Sequence, residues 1–186
     1  MATIDDLIEL VPPPTEPPVF DLTACEQALG VPLPDDYKLL ITVYGVGQFN
    51  DDLMLLVPPH PEVDIERTIT HMGVQVRQIL SELRPTVPET ATWLLPDSSE
   101  QTVDVGLDDP PAVLGWGVNT GGMHGFWRIT GDDPNSWPAV YSDFGGAWDC
   151  DPRGLLEFLY AKLTGQYPDS RTGNFDPTDP YFSSFF

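Results

Sequence analysis

The sequence predicts an α+β fold in which helices pack on one face of a mainly antiparallel sheet. Three observations predict it. Helix punctuation clusters towards the two ends of the chain, where Gly30 and Gly45 close early apolar-faced segments and Gly165 closes a late one. Between residues 112 and 149, short apolar runs alternate with Gly, Asn and Asp turns, the pattern of a β-meander. Strands in one run, with helices before and after, favour α+β over a parallel α/β sheet.

The elements follow in order. Thr3 precedes Ile4, Leu7 and Ile8, which share one helical face, so a short helix capped by Thr3 is expected to Leu10. Val11 to Pro18 contains five prolines and cannot be helix or central strand, because proline fixes φ and lacks the N–H. It reads as a stiff spacer carrying the N-terminal segment across the domain. Thr23-Ala24-Cys25-Glu26 has capping-box spacing for a helix stopped by Gly30. A second helix opens with Pro34 in its first turn, places Asp35 and Asp36 at the positive end of its dipole and closes at Gly45. Its apolar face is Tyr37, Leu40, Ile41 and Tyr44.

Leu53 to Val57, ended by Pro58-Pro59, predicts a buried strand. The longest helix is expected from about Pro61 to Leu83, with Ile65, Ile69, Met72, Val76, Ile79 and Leu83 at helical spacing. Gly73 weakens it by ~1 kcal/mol relative to Ala, and Pro85 ends it. From Thr86 to Pro111 periodicity is poor, and Trp93-Leu94-Leu95 reads as a short strand or an anchored loop. The meander comprises Ala112–Val118, Met123–Ile129, Ala139–Ser142 and a short strand at Ala147-Trp148, with a hairpin turn at Asn119-Thr120-Gly121-Gly122. Asp151 is expected to cap a closing helix with Pro152 at its first position and Leu155, Leu156, Leu159 and Leu163 packed inward. The aromatics Tyr181, Phe182, Phe185 and Phe186 either dock on the domain or present a hydrophobic contact, docking being preferred.

Charge bears on function more than on fold. Eight Lys+Arg oppose 29 Asp+Glu, a net charge of −21 on 186 residues. No basic residue precedes Lys38 or lies between Arg84 and Arg128. Nucleic acids and anionic membranes require clustered cations, so neither is an expected partner. Solubility alone is an equally good reading of the acidity. Disorder is not, because 41% of residues are hydrophobic, with five Trp, six Tyr and nine Phe. Met1 to Asp6 has no basic run before an apolar one, and Cys25 and Cys150 make no disulfide framework, so a cytoplasmic protein with reduced thiols is expected.

No catalytic pattern emerges. His60, His71 and His124 are scattered without an HExxH arrangement, and the two cysteines lack CxxC spacing. Core packing is the stronger reading of both cysteines, against a nucleophile meeting a histidine in space. The pairs Asp51-Asp52, Asp108-Asp109 and Asp132-Asp133 read as solvated turns, and none sits in an EF-hand loop. Gly117 to Gly122 lacks the lysine of a phosphate loop. No enzyme, cofactor or metal is therefore predicted. The meander is rich in aromatics (Trp116, Phe126, Trp127, Trp137, Tyr141, Trp148); most are expected in the core, with at least one lining a groove.

The order of signals resembles the SUKH superfamily of bacterial immunity proteins and fungal cell-wall-synthesis regulators. The resemblance is carried by residues 26–37 (EQALGVPLPDDY), Tyr44-Gly45, the glycine-broken hairpin with Trp116 and Trp127, Tyr141-Ser142-Asp143 and Leu155-Leu156-Glu157-Phe158-Leu159. It spans residues 21–165, which divides the chain into an N-terminal segment with its Pro-rich spacer (1–20), a SUKH-like domain (21–165) and an acidic, aromatic tail (166–186). The two flanks and the Thr86–Pro111 segment depart from the family pattern. The resemblance implies a non-catalytic binding domain with a sheet of four to six strands. It implies an immunity protein that neutralises a toxin, for example a nuclease whose basic surface an acidic protein would find by steered association. An intracellular adaptor or regulatory module binding a cellular protein is the alternative. An acidic rim and aromatic groove around Asp51, Asp52, Trp116, Asp143 and Trp148 is the expected partner site.

Overall fold

The computed structural model describes residues 1–17, 19–56, 58, 64–83, 90–104 and 113–185. Helix α1 (Ile4–Leu10) carries the expected cap. Thr3 Oγ1 accepts from Asp6 N–H at 3.2 Å and Asp6 accepts from Thr3 N–H at 2.7 Å, a complete capping box. Leu7 and Val11 are fully buried, and Tyr44 Oη donates to Val11 O at 2.8 Å. The proline spacer therefore returns an apolar anchor to the body of the fold.

Helix α2 (Leu22–Leu29) starts two residues earlier than its capping-box spacing predicts. Asp21, not Thr23, accepts from Ala24 N–H at 2.8 Å. Glu26 leaves the cap because it has stronger partners: it accepts from Leu33 N–H at 2.9 Å and pairs with Lys38 at 3.2 Å. Gly30 closes the helix at φ +72°, left-handed backbone that glycine adopts without a Cβ clash. Helix α3 (Asp35–Tyr44) follows with Pro34 as N-cap, and Tyr37, Leu40, Ile41 and Tyr44 are all fully buried.

Among the described residues the sheet has nine strands, against the four to six that the family resemblance implies. They are β1 (Gly47–Phe49), β2 (Leu53–Leu55), β3 (Thr90–Leu94), β4 (Glu100–Asp104), β5 (Val113–Val118), β6 (His124–Arg128), β7 (Ala139–Ser142), β8 (Trp148–Asp151) and β9 (Phe182–Ser184). Their order is β4-β3-β8-β7-β6-β5-β2-β1-β9. All pairs are antiparallel except β3 with β8. The sequence reading has no strand at β1, β4 or β9. Two of them have three residues, too few to show a period, and β4 (EQTVD) has a single aliphatic residue. Backbone pairing defines them, although Phe49 of β1 is fully buried in the core.

Strand alternation sends Leu114, Trp116, Trp127, Ala139 and Tyr141 to one face, where they share a core with α1, α2, α3 and helix α6 (Leu155–Leu163). Ala91, Trp93, Val113, Phe126, Val140, Trp148 and Cys150 fill a second core on the opposite face. The long helix joins both. It runs as α4 (Ile65–Thr68), a π-helical stretch (Ile69–Gln75) containing Gly73, and α5 (Val76–Leu83). Met72 packs in the first core, Val76 in the second. The one-faced helical layer therefore does not hold for α5. Among the described residues, β2 pairs with β5 at Gly117 and Val118 and Leu56 N–H donates to Trp116 O at 2.9 Å, which leaves the start of β5 to the helix. Arg77 Nε donates there to Val113 O at 3.2 Å, and Gly115 admits Val76 within 3.1 Å of where a Cβ would stand.

The closing helix is capped differently from expectation. Asp151 is the last residue of β8, and the N-cap position of α6 is Gly154 at φ +114°. The capping carboxylate comes from α3: Asp36 Oδ2 accepts from Leu155 N–H at 2.7 Å and Leu156 N–H at 3.1 Å. A Cβ on Gly154 would lie 2.7 Å from that oxygen, so the close approach requires glycine. After α6, Tyr167 is fully buried, and the tail returns to pair β9 with β1. Phe182 is docked as preferred; Phe185 remains 48% exposed, and Phe186 lies outside the described residues. So do His60, Asp108-Asp109, Val57, the expected helix start at Pro61 to Val63 and its Pro85 stop.

Candidate functional site

Three turns, two of them acidic, share one end of the sheet. The β1–β2 turn carries Asp51 and Asp52, the β5–β6 turn begins at Asn119, and the β7–β8 turn carries Asp143. Asn50 and Asp51 both take left-handed backbone (φ 51° and 52°), which Asn and Asp tolerate better than most side chains. Asp52 accepts from Asn119 Nδ2 at 3.2 Å, tying two of the turns together. Asn119 Oδ1 in turn accepts from Gly121 and Met123 N–H, so the expected hairpin turn is built on this one amide. Asp143 Oδ1 accepts from Gly145 and Ala147 N–H at 2.8 and 3.1 Å. Asp51 is exposed; hydrogen bonds from Ser183, Tyr181 and Gln48 hold its carboxyl below the usual carboxylate range.

The two tryptophans of the expected groove do not join this rim. Trp116 is fully buried on the helical face, stacked on Tyr141 at 5.8 Å and edge-on to Phe158 at 5.6 Å. Trp148 is 2% exposed in the other core, with its indole N–H donated to Gly145 O at 3.1 Å. Strand alternation separates them across the sheet. What remains of the expected constellation is an acidic rim of Asp51, Asp52 and Asp143 without an aromatic floor from Trp116 or Trp148.

The cations behave differently from the acids. Lys38 pairs with Glu26 and, at 3.0 Å, with Asp35. Arg153 grips Asp151 at 2.6 Å and Glu157 at 3.2 Å. Arg171 pairs with Glu100 and donates to Thr92 O. Arg128 lies over the Trp93 ring at 5.8 Å, and Arg77 is bound to β5. Lys162 is buried, 2.6 Å from the equally buried Asp149. Exposed carboxylates meanwhile stand at Glu9, Glu16, Asp97, Asp132, Asp143 and Asp179. Among the described residues, six cations are engaged with the protein itself while Arg67 is exposed. Of the carboxylates, Asp36, Asp149, Asp151 and Glu157 are drawn into internal contacts and the exposed ones face water.

Asp149 and Lys162 form the buried ionic centre that sequence reasoning missed. Asp149 accepts from Lys162, Ser170, Thr172 and two backbone N–H groups, those of Arg171 and Thr172. Lys162 also donates to Ser170 and to Thr172, at 2.7 Å, and to Gly173 O, at 2.9 Å. Burial pushes the Asp149 carboxyl up, but the Lys162 charge and these hydrogen bonds overcome it and hold the group below its ordinary value. Two signals in the sequence point to the pair. In Trp148-Asp149-Cys150-Asp151 the aromatic and the cysteine alternate with acids, and Lys162 lies four residues beyond Phe158 on the inward face of α6. The centre clamps residues 170–173 onto the body.

Both cysteines are buried, and burial, reinforced by the nearby charges of Glu26 and Asp21, pushes the Cys25 thiol up to about 12. Burial likewise raises Cys150, so neither is a ready thiolate. Burial lowers His124 and His71. Two cavities flank Arg153. One of about 260 Å³ is lined by Leu95, Pro96, Asp97, Pro152 and Arg153; one of about 210 Å³ includes Asp36, Trp127 and Trp137. Both fall below the roughly 300–1,000 Å³ of typical small-molecule sites. Among the described residues, no three His, Cys, Asp or Glu side chains are grouped to hold a metal ion, and no helix is long and apolar enough to cross a membrane.

Comparison with protein-family models, curated proteins and solved structures finds no match to this chain.

Proposed function

We propose that this protein is a non-catalytic capture domain: a cytoplasmic immunity protein that binds and neutralises a toxin with a basic surface, such as a nuclease. The observation that carries the reading is the sorting of charge. Of eight cations, six (Lys38, Arg77, Arg128, Arg153, Lys162 and Arg171) are engaged with the protein's own carboxylates, carbonyls or rings, on a chain of net charge −21. Such a surface repels nucleic acid and anionic membranes and steers a cationic protein into encounter. Steering of this kind raises association rates from a neutral ~10⁵–10⁶ to ~10⁸–10⁹ M⁻¹s⁻¹ at low salt. The order of helices, hairpin and closing helix from which the SUKH resemblance was drawn supports the same reading.

Co-expression with toxins encoded beside its gene tests the proposal. Rescue of growth is expected, with complex affinity falling as salt rises from 50 to 500 mM. Absence of rescue from every neighbouring toxin, together with recovery of a housekeeping complex in pull-downs, would replace the immunity reading with the adaptor one.

A further inference from the structure

The edge of the sheet at β1 is occupied by a weakly built strand of the same chain. β9 pairs with β1 over three residues only, Gly47 with Ser184, Gln48 with Ser183 and Phe49 with Phe182. Asn50 N–H donates to Tyr181 O at 3.0 Å and Phe185 N–H to Val46 O at 3.1 Å, which extends the ladder slightly at both ends. The Phe182 ring fills a slot between Tyr44 and Phe49, with ring centroids 5.2 and 4.9 Å away. The slot depends on Gly47: a Cβ there would collide with the Ser183 carbonyl oxygen and the Phe182 ring.

The shallow burial of the strand argues for an exchangeable occupant. None of its residues is fully buried, and most of the chain from Gly173 to Tyr181 is exposed. The clamp at Asp149 and Lys162 holds residues 170–173 and reaches no further. Polar contacts at the β1–β2 turn hold the strand's start: Ser183 Oγ donates to Asp51 at 2.8 Å, Tyr181 N–H donates to Asn50 Oδ1 at 3.1 Å, and the Tyr181 phenol is bonded to Asp51. Asp176 and Asp179 precede the strand and bring like charge towards Asp51. Segments with few buried contacts open at far lower free energy than the core.

We propose that the outer edge of β1, with its Tyr44–Phe49 slot, is a strand-addition site for an extended basic segment of the partner protein, held in reserve by residues 181–185. This rests on the protein-capture reading and names the surface that performs it. Backbone pairing supplies affinity and the slot selects an aromatic or large aliphatic side chain, as in other strand-addition complexes. Asp51 and Asp52 at the adjacent turn favour a cationic segment over the acidic tail.

The test uses the full chain and a fluorescent peptide copying residues 177–185 with Asp179→Lys and a lysine added at each end. Phe182→Ala empties the slot, and this variant is expected to bind the peptide about ten-fold more tightly than the unaltered chain, one aromatic anchor's worth. Adding Gly47→Val should abolish that binding, and raising salt should weaken it. Hydrogen exchange in the unaltered chain gives a reading independent of any variant's folding. The Asn50 amide is expected to exchange at least about ten-fold faster than amides paired between β6 and β7. Equal peptide binding with and without Gly47→Val, no gain from Phe182→Ala, or an Asn50 amide as slow as the sheet centre would each overturn the site. If the site is overturned while toxin co-expression still rescues growth, protein capture stands and only its location falls.

Discussion

Replacing Lys162 with methionine removes one half of a fully buried ion pair while nearly preserving the volume of the side chain. Lys162 is 2% exposed and Asp149 is fully buried, and their charged atoms lie 2.6 Å apart. Breaking such a pair from one side leaves an uncompensated buried charge and costs about 3–5 kcal/mol. Asp149 keeps its hydrogen bonds from Ser170, Thr172 and the Arg171 and Thr172 N–H groups, which places the expected loss at the lower end, about 3 kcal/mol. That is a large share of a typical stability of about 5–15 kcal/mol. With a urea m-value of about 2–3 kcal/mol/M, the unfolding midpoint should fall by about 1–1.5 M. The double variant Asp149→Asn/Lys162→Met should recover at least half of the loss, because no charge is then stranded. A midpoint shift under about 0.3 M for Lys162→Met, or a double variant less stable than the single, would refute the view that this pair is a buried clamp.

Other outcomes follow from the same contacts. Asp36→Ala removes the acceptor for two N–H groups of α6 and should cost about 1–2 kcal/mol in urea unfolding, whereas Asp36→Asn should lose less than half of that. Equal losses for Ala and Asn would contradict the cap. Gly125→Ala places a Cβ 2.5 Å from the Trp116 indole and should cost about 1–3 kcal/mol with a changed near-ultraviolet spectrum; an unchanged spectrum and stability would show that the ring moves freely. The Asp149 carboxyl is held below its ordinary value, so its contribution is present above the unfolded carboxyl pKa and disappears as pH falls through the folded one. Stability of the unaltered chain should therefore fall more steeply below about pH 4 than that of Asp149→Asn/Lys162→Met, and parallel acid limbs in calorimetry would disprove the linkage.

The fold class was legible because its signals are local. Apolar residues at helical spacing located α3, and glycine and asparagine located the β5–β6 turn, since each depends on backbone chemistry within a few residues. The candidate site was legible only as charge. Asp51, Asp52 and Asp143 do lie at one end of the sheet, because β-hairpins place alternate turns together whatever the residues. Trp116 and Trp148 fail as surface groups because a large indole is buried wherever a helix or loop covers it, and nothing in a single strand shows what will cover it.

By itself the sequence determined an acidic α+β chain with a central meander, because composition, period and turn chemistry are properties of neighbouring residues. Only the tertiary structure decided where the carboxylates went. Asp36 capped a helix 119 residues away, Asp149 turned inward to meet Lys162, and Asp51 remained in water beside a borrowed strand. The physical reason is that a carboxylate's role depends on which N–H groups, cations and solvent surround it, and those partners come from distant parts of the chain.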